Sequence, residues 1–209
     1  MQIQRFQLGH IWTNCYVLSS GNGDAVIIDP GGPAGEVRDY IAKNSLRVTQ
    51  ILLTHGHGDH IMGLGEVRDL AADGVAIHRA DSGCLTSASE NLSMMMGHNV
   101  EFKPADSFLS DGLDMKIGGM NIHVIFTPGH TKGSCCFYAT EEAGSLLISG
   151  DTLFARSVGR TDLPGGDEAE LSASLKKLEC LADGVPVYPG HGPSTTIGDE
   201  RRLNPFWPR

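Results

Sequence analysis

Residues 52–60 read LLTHGHGDH, so that three imidazoles, His55, His57 and His60, and one carboxylate, Asp59, fall within six positions at the end of an apolar run. With nine His in 209 residues, that spacing would arise by accident in about one chain in a thousand, far more rarely than most short motifs. Imidazole nitrogen and carboxylate oxygen are ligands for zinc and similar divalent ions. If the chain stays extended here, His55 and His57 share a side while Asp59 and His60 point onward, a division suited to two neighbouring ions.

The same arrangement recurs. Strand-like runs ending in turn residues precede His130 (HVIFTPG), Asp151 (LLISG) and His191 (PVYPG), as ILLT precedes His55. Strands that end on one rim deliver side chains from rigid supports into loops whose glycines let the backbone pass close to an ion. The candidates are then His55, His57, Asp59, His60, His130, Asp151 and His191. Seven donors are too many for one tetrahedral zinc, which takes four protein ligands in a structural site and three plus water in a catalytic one. If Asp151 bridges, each of two ions has four protein ligands.

The elements that must position these donors can be read from periodicity. Alternation predicts strands at 2–8, 14–20 and 24–29, and DPGGP (29–33) then stops the chain, with Pro33 at the first position of a helix to about Asn44. A strand at 48–54 precedes the histidines. Ile61, Leu64, Val67 and Leu70 follow at the spacing of one helix face. A short strand is expected at 75–78, and residues 80–106 show no clear period apart from a helical turn expected at 92–96. DMKI and MNIHVIF flank Gly118-Gly119 as a hairpin, and strands at 134–139 and 145–149 are joined by EEAG. Asp167 with Glu170 forms a capping box for a helix that buries Leu171, Leu175 and Leu178. A strand at 185–188 and a helix at 197–203 follow. Blocks of strands with helices at intervals in both halves predict two sheets packed face to face with helices outside.

The whole-chain properties narrow the function. A length of 209 residues fits one domain. The formal charge of −9, without a basic block longer than Arg201-Arg202, makes nucleic acid and anionic membranes poor partners. No apolar run reaches membrane-spanning length and the first residues alternate rather than form a secretion signal. The five Cys show no C-x-x-C spacing, so buried reduced thiols and a cytoplasmic location are expected. Cys135 and Cys136 should face opposite sides of a strand.

HGHGDH (55–60), TPGHTKGS (127–134), SGDTLF (149–154) and PGHG (189–192) resemble the motifs of the metallo-beta-lactamase superfamily, and the resemblance covers nearly the entire chain. It implies an α+β, four-layer αβ/βα sandwich of two mixed sheets. GDTLFARSVGRTDLPGGD (150–167) and PGHGPSTTIGDERRLNPF (189–206) look like the short type II glyoxalases, the hydroxyacylglutathione hydrolase-like proteins. By that resemblance one ion is held by His55, His57 and His130, the other by Asp59, His60 and His191, with Asp151 bridging. Zinc is expected, with iron or manganese as alternatives. Full-length glyoxalase II has a carboxy-terminal helical domain that supplies much of its glutathione site. This chain ends about eighteen residues after His191 and is read as a single domain, 1–209, without it.

The expected reaction is hydrolysis of glutathione thioesters such as S-D-lactoylglutathione, using water activated by the ions. Asp59 and Asp151 are the expected catalytic carboxylates, Asp59 orienting the nucleophile. A small-molecule thioester is the expected partner, with Arg160 the first candidate for a carboxylate anchor and Lys132 and Arg156 behind it. The principal rival is a glutathione persulfide dioxygenase with one iron on His55, His130 and Asp151. Class B β-lactamases usually carry Cys where Asp151 stands, which argues against that activity. A non-catalytic metal-binding module is a third reading, disfavoured because structural zinc sites are closed and four-coordinate. His10, His78, His98 and His123 lack partners at ligand spacing, Met94 to Met96 are expected to pack, and Asp29 is a candidate to hydrogen-bond a ligand histidine.

Overall fold

A computed structural model describes residues 1–142 and 144–208. The first sheet contains β1 (Gln2–Leu8), β2 (Thr13–Ser19), β3 (Asp24–Ile28), β4 (Arg47–Leu52), β5 (Val75–His78) and β6 (Ser107–Leu109), side by side in that order. The pairs β1/β2 and β2/β3 are antiparallel and the rest parallel. The second sheet contains β7 (Asp114–Ile117), β8 (Met120–Phe126), β9 (Cys135–Glu141) and β10 (Gly144–Gly150) as an antiparallel meander. A small ribbon of β11 (Leu153–Phe154) and β12 (Ser157–Val158) follows, and then β13 (Pro186–Pro189) joins the second sheet parallel to β10, with β14 (Thr195–Thr196) beyond it. Helices are α1 (Gly35–Lys43), α2 (Gly58–Ile61), α3 (Leu64–Val67), α4 (Glu168–Lys177) and α5 (Ile197–Leu203).

Alternation along the strands builds three apolar layers. Tyr16, Leu18, Val26, Ile28 and Leu52 face Ile122, Val124, Phe137 and Ile148 between the sheets. Their neighbours Val17, Ile27 and Ile51 point the other way, onto Val37 and Ile41 of α1 and Leu64 and Val67 of α3. Leu147 and Val187 pack outward against Leu175 of α4 and Ile197 of α5. The result is the αβ/βα sandwich expected above. Cys135 lies in the layer between the sheets and Cys136 in the outer one, as the strand period requires, and all five cysteines are free. Trp207 joins the outer layer while Phe206 stays exposed. Among the described residues no helix is long and apolar enough to cross a membrane.

The local expectations differ from the structure at a few points. The helix after DPGG begins at Gly35 rather than Pro33, because Ala34 gives its N–H to the Glu66 carboxylate (2.9 Å). The single helix expected over 61–70 is broken into α2, α3 and a 3₁₀ turn at 68–70. There the N–H of Gly63 donates to Pro30 O at 2.7 Å, a tertiary bond that takes precedence over the helical period. Residues 79–86 and 93–96 form 3₁₀ turns, and Met94 and Met95 are exposed rather than packed. The α4 cap is as expected, with the Asp167 carboxylate accepting the N–H of Glu170 at 2.9 Å. The β7/β8 hairpin closes at 118–119; the junction of β9 and β10 includes Ala143, outside the described residues.

Candidate metal centre

The rim of the sandwich gathers the donors because the ends of β4, β8, β10 and β13 all lie there. Hydrogen bonds crossing from one sheet to the other hold that rim in register. Cys135 N donates to Thr54 O at 2.8 Å, Asn14 N to Gly190 O at 2.7 Å, and the Tyr16 hydroxyl to Pro189 O at 2.7 Å. Two glycines let neighbouring loops pass against the carboxylate-bearing backbone. A Cβ at Gly31 would lie 1.8 Å from Asp59 O, and one at Gly159 would lie 1.8 Å from Asp151 O.

The seven expected donors converge. His55, His57 and His130 form one group, Asp59, His60 and His191 a second, and His55, His60 and Asp151 a third, with ligand atoms in each lying within 4.8 Å of one another. Asp151 stands between the first two groups. Its Oδ2 is 3.6 Å from both His130 Nε2 and His191 Nε2, and its Oδ1 is 3.4 Å from His60 Nε2. His57 Nδ1 and His130 Nε2 face each other at 3.0 Å, and Asp59 Oδ2 is 3.1 Å from His191 Nε2 and 3.4 Å from His60 Nε2.

Hydrogen bonds behind the rings decide which nitrogen each presents. His60 donates from Nδ1 to Asp29 Oδ2 (2.9 Å), and His130 donates from Nδ1 to Arg160 O (2.8 Å). Asp29 also takes the Thr54 N–H (2.8 Å) and hydroxyl (2.6 Å), which leaves the Thr54 oxygen to accept from His55 Nδ1 at 3.0 Å. Each Nε2 lone pair is thereby turned toward the centre, an arrangement that fixes the tautomer of a metal ligand. Asp29 thus makes a hydrogen bond to one of the clustered histidines, as expected from the sequence. On the other carboxylate, the Thr13 hydroxyl donates to Asp59 Oδ2 at 3.0 Å.

The residues fit a metal on an independent count. His55 Nε2, His60 Nε2 and Asp151 Oδ1 are buried without a hydrogen-bond partner among the described residues. Leaving three such atoms unpaired would cost about 1–3 kcal/mol each, and all three point into the same small volume. Burial, then the imidazoles of His60 and His130, pushes His55 well below the usual histidine range; burial and His130 bring His57 down to about 4. Both rings are therefore neutral at pH 7, the form that binds a metal. For His60 burial opposes the charge, but Asp59, Asp151 and Asp29 outweigh it and raise the pKa. Burial likewise works against the charge on Asp59 and Asp151, but His60 together with the neighbouring histidines (His191 and His57 for Asp59, His130 and His191 for Asp151) outweighs it, so that both carboxyls ionise below the usual range.

A cavity of about 480 Å³ opens on this centre, bordered by Ile11, Leu92, Met95, Met96, Phe154, Leu163 and Arg160. Of the three expected anchors, Arg160 alone lies on it. Lys132 borders a neighbouring hollow beside Asp81 and Cys84, and exposed Arg156 is fixed through its N–H to Glu200 at 2.7 Å. Asp81 had no signal in the sequence. Buried, it accepts the Gly56 N–H (3.0 Å) and the Thr131 hydroxyl (2.7 Å), joining the loops that carry His57 and His130. The other histidines stand outside the three donor groups: His78 stacks on Phe126, His10 on His98, and His123 bonds Asp114.

The profile of the metallo-beta-lactamase superfamily matches residues 12–191. The chain belongs to this superfamily. It is 39% identical to the probable metallo-hydrolase YqgX of Bacillus subtilis, over 99% of this chain and 97% of that protein. It is 34% identical to the hydroxyacylglutathione hydrolase GloC of Haemophilus influenzae, over 99% and 98%. Among solved structures, that of the BLEG-1 B3 metallo-beta-lactamase superposes with a TM-score of 0.92 at 39% identity, covering 99% of both chains. The di-iron-bound form of TTHA1623 gives 0.81 at 34% identity, covering 97% and 99%. With its His/Asp cluster, the chain is a metallo-hydrolase of this superfamily.

Proposed function

We propose that the protein is a binuclear metal-dependent thioester hydrolase of the hydroxyacylglutathione hydrolase kind, acting on small glutathione thioesters in the cytoplasm as a single-domain enzyme. The observation that carries this reading is the joining of two three-donor groups at Asp151. His55, His57 and His130 would hold one ion and Asp59, His60 and His191 the other, each completed by Asp151. Ions bound there would supply hydroxide at neutral pH and polarise the thioester carbonyl. Zinc suits the nitrogen-rich donor set, and the di-iron form of a relative supports iron as the alternative.

The chain's own residues do the rest. Asp59, fixed by the Thr13 hydroxyl and beside His191, is placed to orient the attacking oxygen. A thiolate whose conjugate acid has a pKa of about 8.5 leaves with little help from a general acid, which suits a cavity whose carboxylic acids, among the described residues, are Asp59 and Asp151. A single iron on His55, His130 and Asp151 would leave Asp59, His60 and His191 converging without a task, so the binuclear reading accounts for more of the centre. The likeness to a B3 metallo-beta-lactamase supports a second substrate class, β-lactams, for the same centre.

The test is hydrolysis of S-D-lactoylglutathione by metal-loaded protein with Asp151→Ala as the blank. Turnover confined to the wild type is expected. Nitrocefin turnover without thioester turnover would move the reading to the β-lactam class, and oxygen uptake with glutathione persulfide would move it to the dioxygenase.

A further inference from the structure

The cavity over the metal centre has an apolar wall made by Ile11, Leu92, Met95, Met96, Phe154 and Leu163. Its volume of about 480 Å³ lies within the range of small-molecule sites. Part of the wall faces solvent, Ile11 being 51% and Met95 73% exposed. A cluster of large exposed apolar side chains beside a reactive centre marks a surface made for an apolar ligand group. The wall is also built in advance at its base. Fully buried Asn91 donates from Nδ2 to Cys84 O (2.8 Å) and Val100 O (2.9 Å) and accepts Ser93 N–H at 2.9 Å. These bonds hold Leu92 at φ 61°, a conformation costly for a leucine. The methionines that follow have unbranched side chains able to fit chains of varied shape.

Charge excludes the other half of a glutathione thioester from the same space. Glutathione carries two carboxylates and an ammonium, and placing them against hydrocarbon without partners is costly. Among the described residues the cavity's one Lys or Arg is Arg160, and Asp162 holds its guanidinium through Nε and Nη2, both at 2.7 Å. That pair is locally neutral.

We infer that the wall binds the acyl arm of the substrate, that this arm is an apolar alkyl or aryl chain, and that Met95 and Met96 set the preference, while the charged thiol arm remains at the mouth. The cleavage of such a thioester rests on the function proposed above; the binding preference does not.

The test uses zinc-loaded protein and the non-hydrolysable thioethers S-hexylglutathione and S-methylglutathione, measured by calorimetry. The hexyl compound should bind at least about tenfold more tightly, and the variant Met95→Ser/Met96→Ser should lose most of that preference with its melting temperature unchanged. Equal affinities, or a preference untouched in the variant, would overturn the inference. Hydrolysis of hexanoylglutathione and acetylglutathione, run in parallel, should show the same order in kcat/KM. Acetyl cleaved as readily as hexanoyl would overturn assignment of the wall to the acyl arm. A hexyl preference with neither thioester cleaved would uphold the binding inference and reject thioester hydrolysis.

Discussion

The metal centre and the apolar wall meet in one cavity and are held in different ways. At the centre, His55, His60 and His130 are buried and fixed from behind by Thr54, Asp29 and the Arg160 carbonyl. Along the wall, Leu92 is fixed by the buried Asn91 network, whereas Met95 and Ile11 extend into solvent. The centre must hold several donors to a few tenths of an ångström, whereas a surface that takes hydrocarbon needs only area and adaptability. Substitution at the centre should therefore be costly in proportion to how directly it bears on the donors, and substitution at the wall should alter preference without altering stability.

The largest effect is expected at His60, which is fully buried and lies 3.4 Å from both Asp59 and Asp151. His60→Ala should lower bound metal from two ions to one per chain by elemental analysis and reduce turnover by about 10²–10³-fold. Gly159→Ala tests the close approach rather than a donor. Its methyl would stand 1.8 Å from Asp151 O, so the backbone must move, at about 1–3 kcal/mol; thermal melting should register a loss of about 2–12 °C. Asp29→Asn keeps the shape but replaces one acceptor by a donor facing His60 Nδ1. Metal affinity should fall about 10–100-fold in competition with a chelator, with the circular dichroism unchanged. At the other extreme, Met95→Ser removes an exposed side chain, and its stability should stay within about 0.5 kcal/mol of wild type by urea titration. A large loss at Met95 would show that the wall is as tightly determined as the centre.

The same contrast explains what could be read in the sequence. The cluster was legible because His55, His130, Asp151 and His191 each follow a strand-like run closed by turn residues, and because HGHGDH concentrates four of its seven members. Paired strands such as β7 and β8 were legible from their alternation and the glycines between them. The wall was not. Ile11 lies in a turn, and Leu92 to Met96 lie in a segment without period whose geometry depends on Asn91 reaching Cys84 O and Val100 O, contacts that no local pattern announces. Asp81 escaped notice for the same reason, since its partners Gly56 and Thr131 are distant in sequence. The break between α2 and α3 depends on a bond from Gly63 to Pro30, which periodicity cannot foresee.

On the proposed function, two donor groups joined at Asp151 act together on a thioester. Zinc titrated into metal-free protein at pH 7, with S-D-lactoylglutathione and hexanoylglutathione turnover recorded at each addition, tests it most directly. Turnover that rises to a plateau at two ions per chain is the predicted result. A plateau at one ion, or no turnover with both groups filled, would contradict it.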